Sequence, residues 1–323
     1  MEETGLFPWK ERLRRLVIVV VLLAAAFAGR ADAVTPGRDG PIVYENVFET
    51  DATHIWVANP DGSRVQDLTP EWEDEATDPA WSPNRRKIAF VSDRGNDDGH
   101  AFIWVMNRDG SGARALGGGG IEQLAPAWSP DGKTVAFMRC SRYQDGEGTC
   151  SSAQIATIGA NGKGLKKLTK PLRTTGVDSK PAWSPNGKTI VFQRTIDFGT
   201  VTIWTIGANG KALRRILADD SEVDHSPSFS PTGKRVVYVT NTDGTESIYT
   251  MNPDGKARKL VVEEEFDPDE DGQGGGAENP AFAPSGQRIV YMGGGDLWTV
   301  GVDGTARTQL TQDGGDEPDW GRA

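Results

Sequence analysis

Residues Pro126 to Phe137 read PAWSPDGKTVAF. The stretch returns as PAWSPNRRKIAF from Pro79, PAWSPNGKTIVF from Pro181, PSFSPTGKRVVY from Pro227 and PAFAPSGQRIVY from Pro280. A further copy is divided between the two ends of the chain. GRDGPIVY from Gly37 holds a turn and a second strand, and PDWG from Pro318 holds the missing start. Repetition of this kind marks a solenoid, a propeller or an array. Each copy reads as a hairpin. Trp128 sits on a first strand (A), Ser-Pro-Asp-Gly turns the chain, and Lys133 to Met138 form a second (B) rich in residues that fit a pleated surface.

A second piece follows each hairpin: IWVANPDG from Ile55, IWVMNRDG from Ile103, IATIGANG from Ile155, IWTIGANG from Ile203, IYTMNPDG from Ile248 and LWTVGVDG from Leu297. It predicts a third strand (C) ending in a tight Asn/Asp-Gly turn, after which a segment such as KALRRIL makes a fourth (D). The spacings separate scaffold from elaboration. From the A aromatic to the B aromatic is nine residues in every complete copy, and from the C aromatic position to the turn glycine is six. The B–C connection instead ranges from 7 (Tyr291 to Trp298) to 19 (Phe137 to Ala156), and the D–A connection is longest between Gly255 and Phe282. The A–B and C–D turns share one face and the B–C and D–A loops the other. One face is therefore constant, and the other carries the variable loops in which binding resides.

The expected fold is all-β: a six-bladed β-propeller of four-stranded antiparallel blades, its ring closed by the C-terminal strand completing the first blade. Six C motifs but only five internal A motifs, with an orphan Pro318-Asp319-Trp320 at the end, lead to that closure, which leaves no open edge. The repeated P-x-[WF]-S-P-[DN]-G-K-x-[IV]-x-[FY], followed by [IL]-[WY]-x-x-x-x-D-G, resembles the TolB-type (WD40-like) β-propeller repeat family over roughly residues 37–321. The resemblance implies the propeller without the N-terminal α/β domain of TolB. Some related propellers precede a hydrolase domain, but no G-x-S-x-G elbow is found in this chain.

Among 323 residues are 40 glycines and 19 prolines, most of them in the repeated turns, and the formal charge of −11 argues against a nucleic-acid partner. The first 33 residues differ. Basic Lys10 to Arg15, the apolar run Leu16 to Ala28 and Ala31-Asp32-Ala33 have the layout of a signal peptide cleaved after Ala33, with an uncleaved signal anchor as the other reading. The expected domains are thus 1–33, signal peptide or anchor, and 34–323, propeller, in a periplasmic or extracellular protein. Cys140 and Cys150, the only cysteines, lie in one B–C connection, and in an exported chain they are expected to form a disulfide.

Three groups of residues are candidates for chemistry. Asp267, Asp269 and Asp271, followed by Gly272, Gln273 and, after the glycine and five residues, Glu278, fit the D-x-D-x-D-G-x5-E spacing of a calcium loop; a solvated acidic loop is the bland alternative. Polar residues just ahead of each A strand are expected to ring the mouth of the channel as an acidic funnel for a cationic or peptide ligand: Asp78, Glu122, Asp178, Lys180, Asp224, His225, Asn279 and Glu317. His54, His100 and His225, the only histidines, map to the same face but to non-equivalent positions. Lys87, Lys133, Lys188 and Lys234 follow the A–B turns and are expected to solvate strand edges, while the off-register Trp72 is a candidate surface contact. No nucleophile–base arrangement stands out, so the leading expectation is a non-enzymatic module that recognises a protein or peptide in the cell envelope. The alternative is a propeller enzyme, a metal-dependent lyase or hydrolase using funnel residues. A membrane is expected to matter only through an uncleaved anchor.

Overall fold

The computed structural model describes residues 37–46, 52–96, 99–117, 122–143, 150–170, 176–196, 200–217, 223–242, 245–265 and 276–322. The chain divides into two compact units, Met1–Ala33 and Val34–Ala323, and every described residue belongs to the second. The leader reading and four of the five calcium-loop ligands, Asp267, Asp269, Asp271 and Gln273, lie outside the described residues.

Every regular element among the described residues is a strand. In chain order they are β1 (Asp39–Asn46), β2 (His54–Ala58), β3 (Gln66–Asp67), β4 (Ala76–Trp81), β5 (Lys87–Ser92), β6 (Phe102–Asn107), β7 (Arg114–Ala115), β8 (Gln123–Trp128), β9 (Thr134–Tyr143), β10 (Cys150–Gly159), β11 (Lys166–Lys167) and β12 (Val177–Trp183). They continue with β13 (Thr189–Ile196), β14 (Thr200–Gly207), β15 (Arg214–Arg215), β16 (Val223–Phe229), β17 (Val236–Thr242), β18 (Thr245–Met251), β19 (Lys259–Glu265), β20 (Ala277–Phe282), β21 (Arg288–Gly293), β22 (Asp296–Gly301), β23 (Thr308–Gln309) and β24 (Asp316–Arg322). Each repeat makes an antiparallel A-B-C-D run, β4 to β7 being one example and β20 to β23 another. The first unit takes its innermost strand from the far end of the chain. β24 pairs antiparallel with β1, setting Ile42 opposite Trp320 and Val43 opposite Asp319, and the Trp320 indole donates to the Gly40 carbonyl at 2.8 Å.

The expectation of six separate sheets is corrected at one place. The third and fourth units share one eight-stranded sheet through a parallel bridge between Ala153 and Val177, so the described strands form five sheets. The cause is the long β9–β10 hairpin, each arm ten residues, whose outer end is clamped by the Cys140–Cys150 disulfide with its Cα atoms 5.9 Å apart. The overhang runs alongside the start of β12, where the Ala153 amide donates to the Gly176 carbonyl at 3.2 Å.

The second strands read as continuous apolar runs because neighbouring units cover both of their faces. Ile88, Ala89 and Phe90, and likewise Ile190, Val191 and Phe192, have no exposed surface. Burying each such aromatic contributes about 1.5–3 kcal/mol. The A–B turn is closed by its own side chains: Ser129 Oγ donates to Asp131 Oδ1 (2.6 Å), which also accepts the Lys133 amide (3.0 Å).

The glycine after each C strand explains the invariant turn. Gly62, Gly110, Gly162, Gly210, Gly255 and Gly304 have φ between 78° and 91°. Each lies against the outer-strand backbone of another unit: Gly110 on Leu68, Gly162 on Leu116, Gly210 on Leu168, Gly255 on Ile216, Gly304 on Val261, and Gly62 of the first unit on Leu310 of the sixth. The innermost strands follow the same succession, β4 packing on β8, β8 on β12, β12 on β16, β16 on β20, β20 on β24 and β24 on β4. A methyl group at Gly110 would meet both a left-handed backbone and the Leu68 carbonyl. Gly110→Ala is expected to cost about 2–4 kcal/mol in urea denaturation. Gly95, with φ 70° but nothing within 4 Å of an added methyl, is the control and is expected to lose only the backbone part. Equal losses at the two positions would remove the inter-unit contact from the account.

Candidate functional site

Each innermost strand is interrupted by a bulge at an X-Pro step. Pairing slips between Thr77 and Ala80, Leu124 and Ala127, Ser179 and Ala182, His225 and Ser228, and Glu278 and Ala281, and β24 slips likewise against β1. The residue before each proline is left-handed: Asp78, Ala125, Lys180, Ser226, Asn279 and Glu317 all have φ between 48° and 52°. Such a conformation in a non-glycine residue costs on the order of 1–3 kcal/mol and is held only where its surroundings enforce it. Bulges re-aim side chains. Here all six line one cavity of about 280 Å³ together with their prolines, Trp81, Trp128, Trp183 and Asp319.

Polar contacts link the six positions from unit to unit. Glu45 of β1 accepts the Asp78 amide (2.5 Å), and Asp78 accepts the Ala125 amide (2.9 Å). Gln193 accepts the Ser226 amide (2.8 Å), Ser226 Oγ donates to Asn279 Oδ1 (3.0 Å), and Asn279 Nδ2 donates to Asp316 Oδ1 (2.9 Å). Lys180, from the fourth unit, reaches Glu317 of the first and lies 3.6 Å from Asp78 of the second.

The electrostatics follow from crowding several carboxyls around one cation. Burial works against the Lys180 charge, but Glu317 and Asp78 outweigh it and hold the ammonium well above its ordinary range. Burial, with Asp78 and Asp316 beside it, pushes Glu317 up to about 7 despite Lys180. Burial together with Glu317 and Asp78 raises Glu45 well above the usual carboxyl range. Glu278 is pushed up to about 7 by burial, Glu246 and Asp316, and His225 is pushed down to about 4 by burial and Lys180. At Asp319, also in the cavity lining, burial raises the carboxyl to about 6, opposed by the amides of Trp81 and Trp320.

Of the funnel residues predicted from sequence, Asp78, Lys180, Asn279 and Glu317 meet at the cavity. Glu122, Asp178, Asp224 and His225 do not line it. Asp178 and Asp224 stand two residues ahead of the strained position, where the strand turns its side chain into the wall. Asp178 is buried there against Arg194, with contacts of 2.5 and 2.8 Å, and Asp224 has no exposed surface. Ser226, Ala125, Asp319 and Glu45 were missed. The signal that finds the first two is register: the residue immediately before each strand-A proline lines the cavity, whatever its polarity. Trp72 is half-buried: its ring lies 5.5 Å from Phe90 and 5.8 Å from Trp104, with Arg94 4.1 Å above it, and it also lines an open pocket beside His54. His54 is buried, with Nδ1 2.7 Å from Asp67 and Nε2 3.1 Å from the Trp72 carbonyl. Among the described residues no three His, Cys, Asp or Glu side chains converge as metal ligands.

Three comparisons bear on this geometry. The family model of the TolB beta propeller domain matches residues 23–225. A Tol-Pal system protein TolB from Zymomonas mobilis is 41% identical over 63 residues, a match that spans 20% of this chain and 13% of that protein. The crystal structure of TolB from Acinetobacter baumannii superposes with a TM-score of 0.68 at 21% identity, covering 94% of this chain and 71% of that one. An oligogalacturonate lyase in complex with manganese superposes at 0.58 with 12% identity, covering 84% and 74%; likenesses at these identities speak to the fold alone.

Proposed function

The chain belongs to the TolB beta propeller domain family, and from that premise we propose that it is an exported, non-enzymatic binding module of the cell envelope. Its six units form a closed ring whose loop-rich face and axial cavity receive a protein or peptide partner. The succession of inner-strand and glycine contacts that returns from the sixth unit to the first supports the ring. The basic and apolar leader and the Cys140–Cys150 disulfide support export.

The observation that carries the binding reading is the position of Lys180. Its ammonium crosses from the fourth unit to carboxylates of the first and second, so the cavity already holds a cation in an acidic seat. A lysine or arginine of a partner peptide competes for that seat, with Trp81, Trp128 and Trp183 in the surrounding wall. Peptides selected by phage display on the full chain are expected to be enriched in lysine or arginine. In the Asp78→Asn/Glu317→Gln variant the enrichment is expected to fall about tenfold. Selected peptides with no shared cation, or an unchanged selection in the variant, would reject the seat.

A further inference from the structure

The constant face differs in chemistry from the cavity mouth. Its C–D segments in the third and fourth units read NGKGLKK (161–167) and NGKALRR (209–215), with no acid in either. Elsewhere the corresponding turns carry Asp61, Asp109, Asp254 and Asp303. The two segments are neighbours. Lys166 Nζ donates to the Ala208 carbonyl at 3.4 Å, joining the third unit to the fourth, and Arg214 donates to the Pro253 carbonyl at 3.2 Å, joining the fourth to the fifth. The A–B turns are tied to the same surface, the Lys133 carbonyl accepting the Ala160 amide (2.8 Å) and the Lys188 carbonyl the Ala208 amide (2.9 Å). Asp131, the acid of that turn, is engaged by Ser129 and by the Lys133 amide.

Two features make this more than a scatter of lysines. A groove of about 450 Å³ opens between the fourth and fifth units, lined by Asn186, Lys188, Asn209, Lys211 and Arg214. Beside the cations stand Leu165 and Leu213, 39% and 44% exposed, each three residues beyond its turn glycine and so at equivalent places in the two units. Cations bordering exposed leucines suit a phosphate-bearing surface with apolar material beneath it.

We propose that this face docks on an anionic bilayer, headgroup phosphates entering the Lys188–Lys211–Arg214 groove and Leu165 and Leu213 meeting the acyl boundary. A bilayer is favoured over an acidic protein by where the chain joins the fold. The Gly37 amide donates to the Pro284 carbonyl at 2.9 Å, in the A–B turn of the sixth unit and thus on this same face. That preference holds for the uncleaved anchor, in which the apolar run Leu16 to Ala28 is kept and ends nine residues before Gly37, a span of at most about 30 Å. Lys188, read from sequence as solvating a strand edge, thereby gains a role independent of the axial cavity.

The test uses the full chain on vesicles of phosphatidylcholine alone or with about one third phosphatidylglycerol, treated with a membrane-impermeant amine reagent and read lysine by lysine by mass spectrometry. Labelling of Lys163, Lys166, Lys188 and Lys211 is expected to fall about fivefold on the anionic vesicles and to recover in molar salt, while Lys170, in the β11–β12 connection, does not change. In the Leu165→Ser/Leu213→Ser variant, protection by vesicles weakens but protection by soluble polyphosphate does not. Equal labelling on both vesicles, protection of Lys170 alongside the others, or the same leucine dependence with polyphosphate overturns the proposal.

Discussion

Lys180→Met is expected to lower the thermal midpoint by roughly 5–10 °C at pH 8 and by much less at pH 5. The lysine is the cation that faces both Glu317 and Asp78, and its removal leaves their charges facing one another and Glu45. Removing one partner of a fully buried pair costs about 3–5 kcal/mol; side-chain exposures of 29% for Lys180 and 22% for Glu317 reduce this to roughly 2–3 kcal/mol. The pH dependence has a fixed sign. Burial raises Glu317 to about 7 and lifts Glu45 in the same direction, so both carboxyls hold their protons more tightly in the folded chain. The stability that Glu317 contributes is full below its unfolded value near 4.5 and is lost as pH rises through about 7, and Glu45 adds a contribution of the same sign. At pH 5 Glu317 holds its proton, and loss of the lysine is tolerated; at pH 8 the folded chain must keep that proton against the solvent or carry a carboxylate without its cation. The native chain itself is expected to lose stability over the same interval, with Glu278 and Asp319 adding to the slope in proportion to their burial. Differential scanning calorimetry of both proteins at the two pH values decides the matter. A deficit independent of pH would mean that Lys180 acts through packing rather than charge.

The strands were legible in the sequence because each unit is built on hard local rules. Ser-Pro-Asp-Gly closes through its own hydroxyl and carboxylate, and an Asn/Asp-Gly turn must place a residue without a Cβ against a neighbouring backbone. Those requirements leave fixed residues at fixed spacings. What was less legible depends on where a side chain is aimed. Polarity ahead of an A strand does not separate Asp78, which faces the cavity, from Asp224, which is buried in the wall. A bulge reverses the alternation between them, and a bulge has no composition of its own; only the recurrent proline marks its place. Lys180 bridging distant units was likewise invisible, since residues 137 positions apart meet only after the fold is complete. The merger of the third and fourth sheets arose from a hairpin lengthened to reach its disulfide, a matter of loop length rather than of the repeat. The basic character of the constant face was present in NGKGLKK and NGKALRR but was diluted by a net charge of −11, which averages over faces that the fold keeps apart.

Deletion of residues 316–322 is expected to abolish cooperative folding, a larger effect than any single substitution considered above. The segment is the innermost strand of the first unit. Without it β1 keeps an unpaired edge, and the Trp81 amide loses the Asp319 carboxylate that accepts it at 2.6 Å. Lys180 loses Glu317, and a cluster containing Ile42, Tyr44, Ala283, Val290 and Leu297 loses Trp320, itself 5% exposed. Trp320→Ala alone is expected to cost about 3–5 kcal/mol. The deletion removes in addition the main-chain pairing and the contacts of β24 with both β4 and β20, which join the second unit to the sixth. A permuted chain tests the pairing of β24 with β1 apart from the chain end that supplies it. With residues 313–322 moved ahead of Gly37 through a short flexible linker, and the chain ending after Gln312, β24 is still delivered to β1, now as part of the first hairpin. That chain is expected to recover a cooperative urea transition close to the native midpoint, because the fold requires the strand beside β1 and not its origin at the C-terminus. If the deleted chain unfolds as cooperatively as the native one, the pairing of Ile42 with Trp320 does not hold the units together.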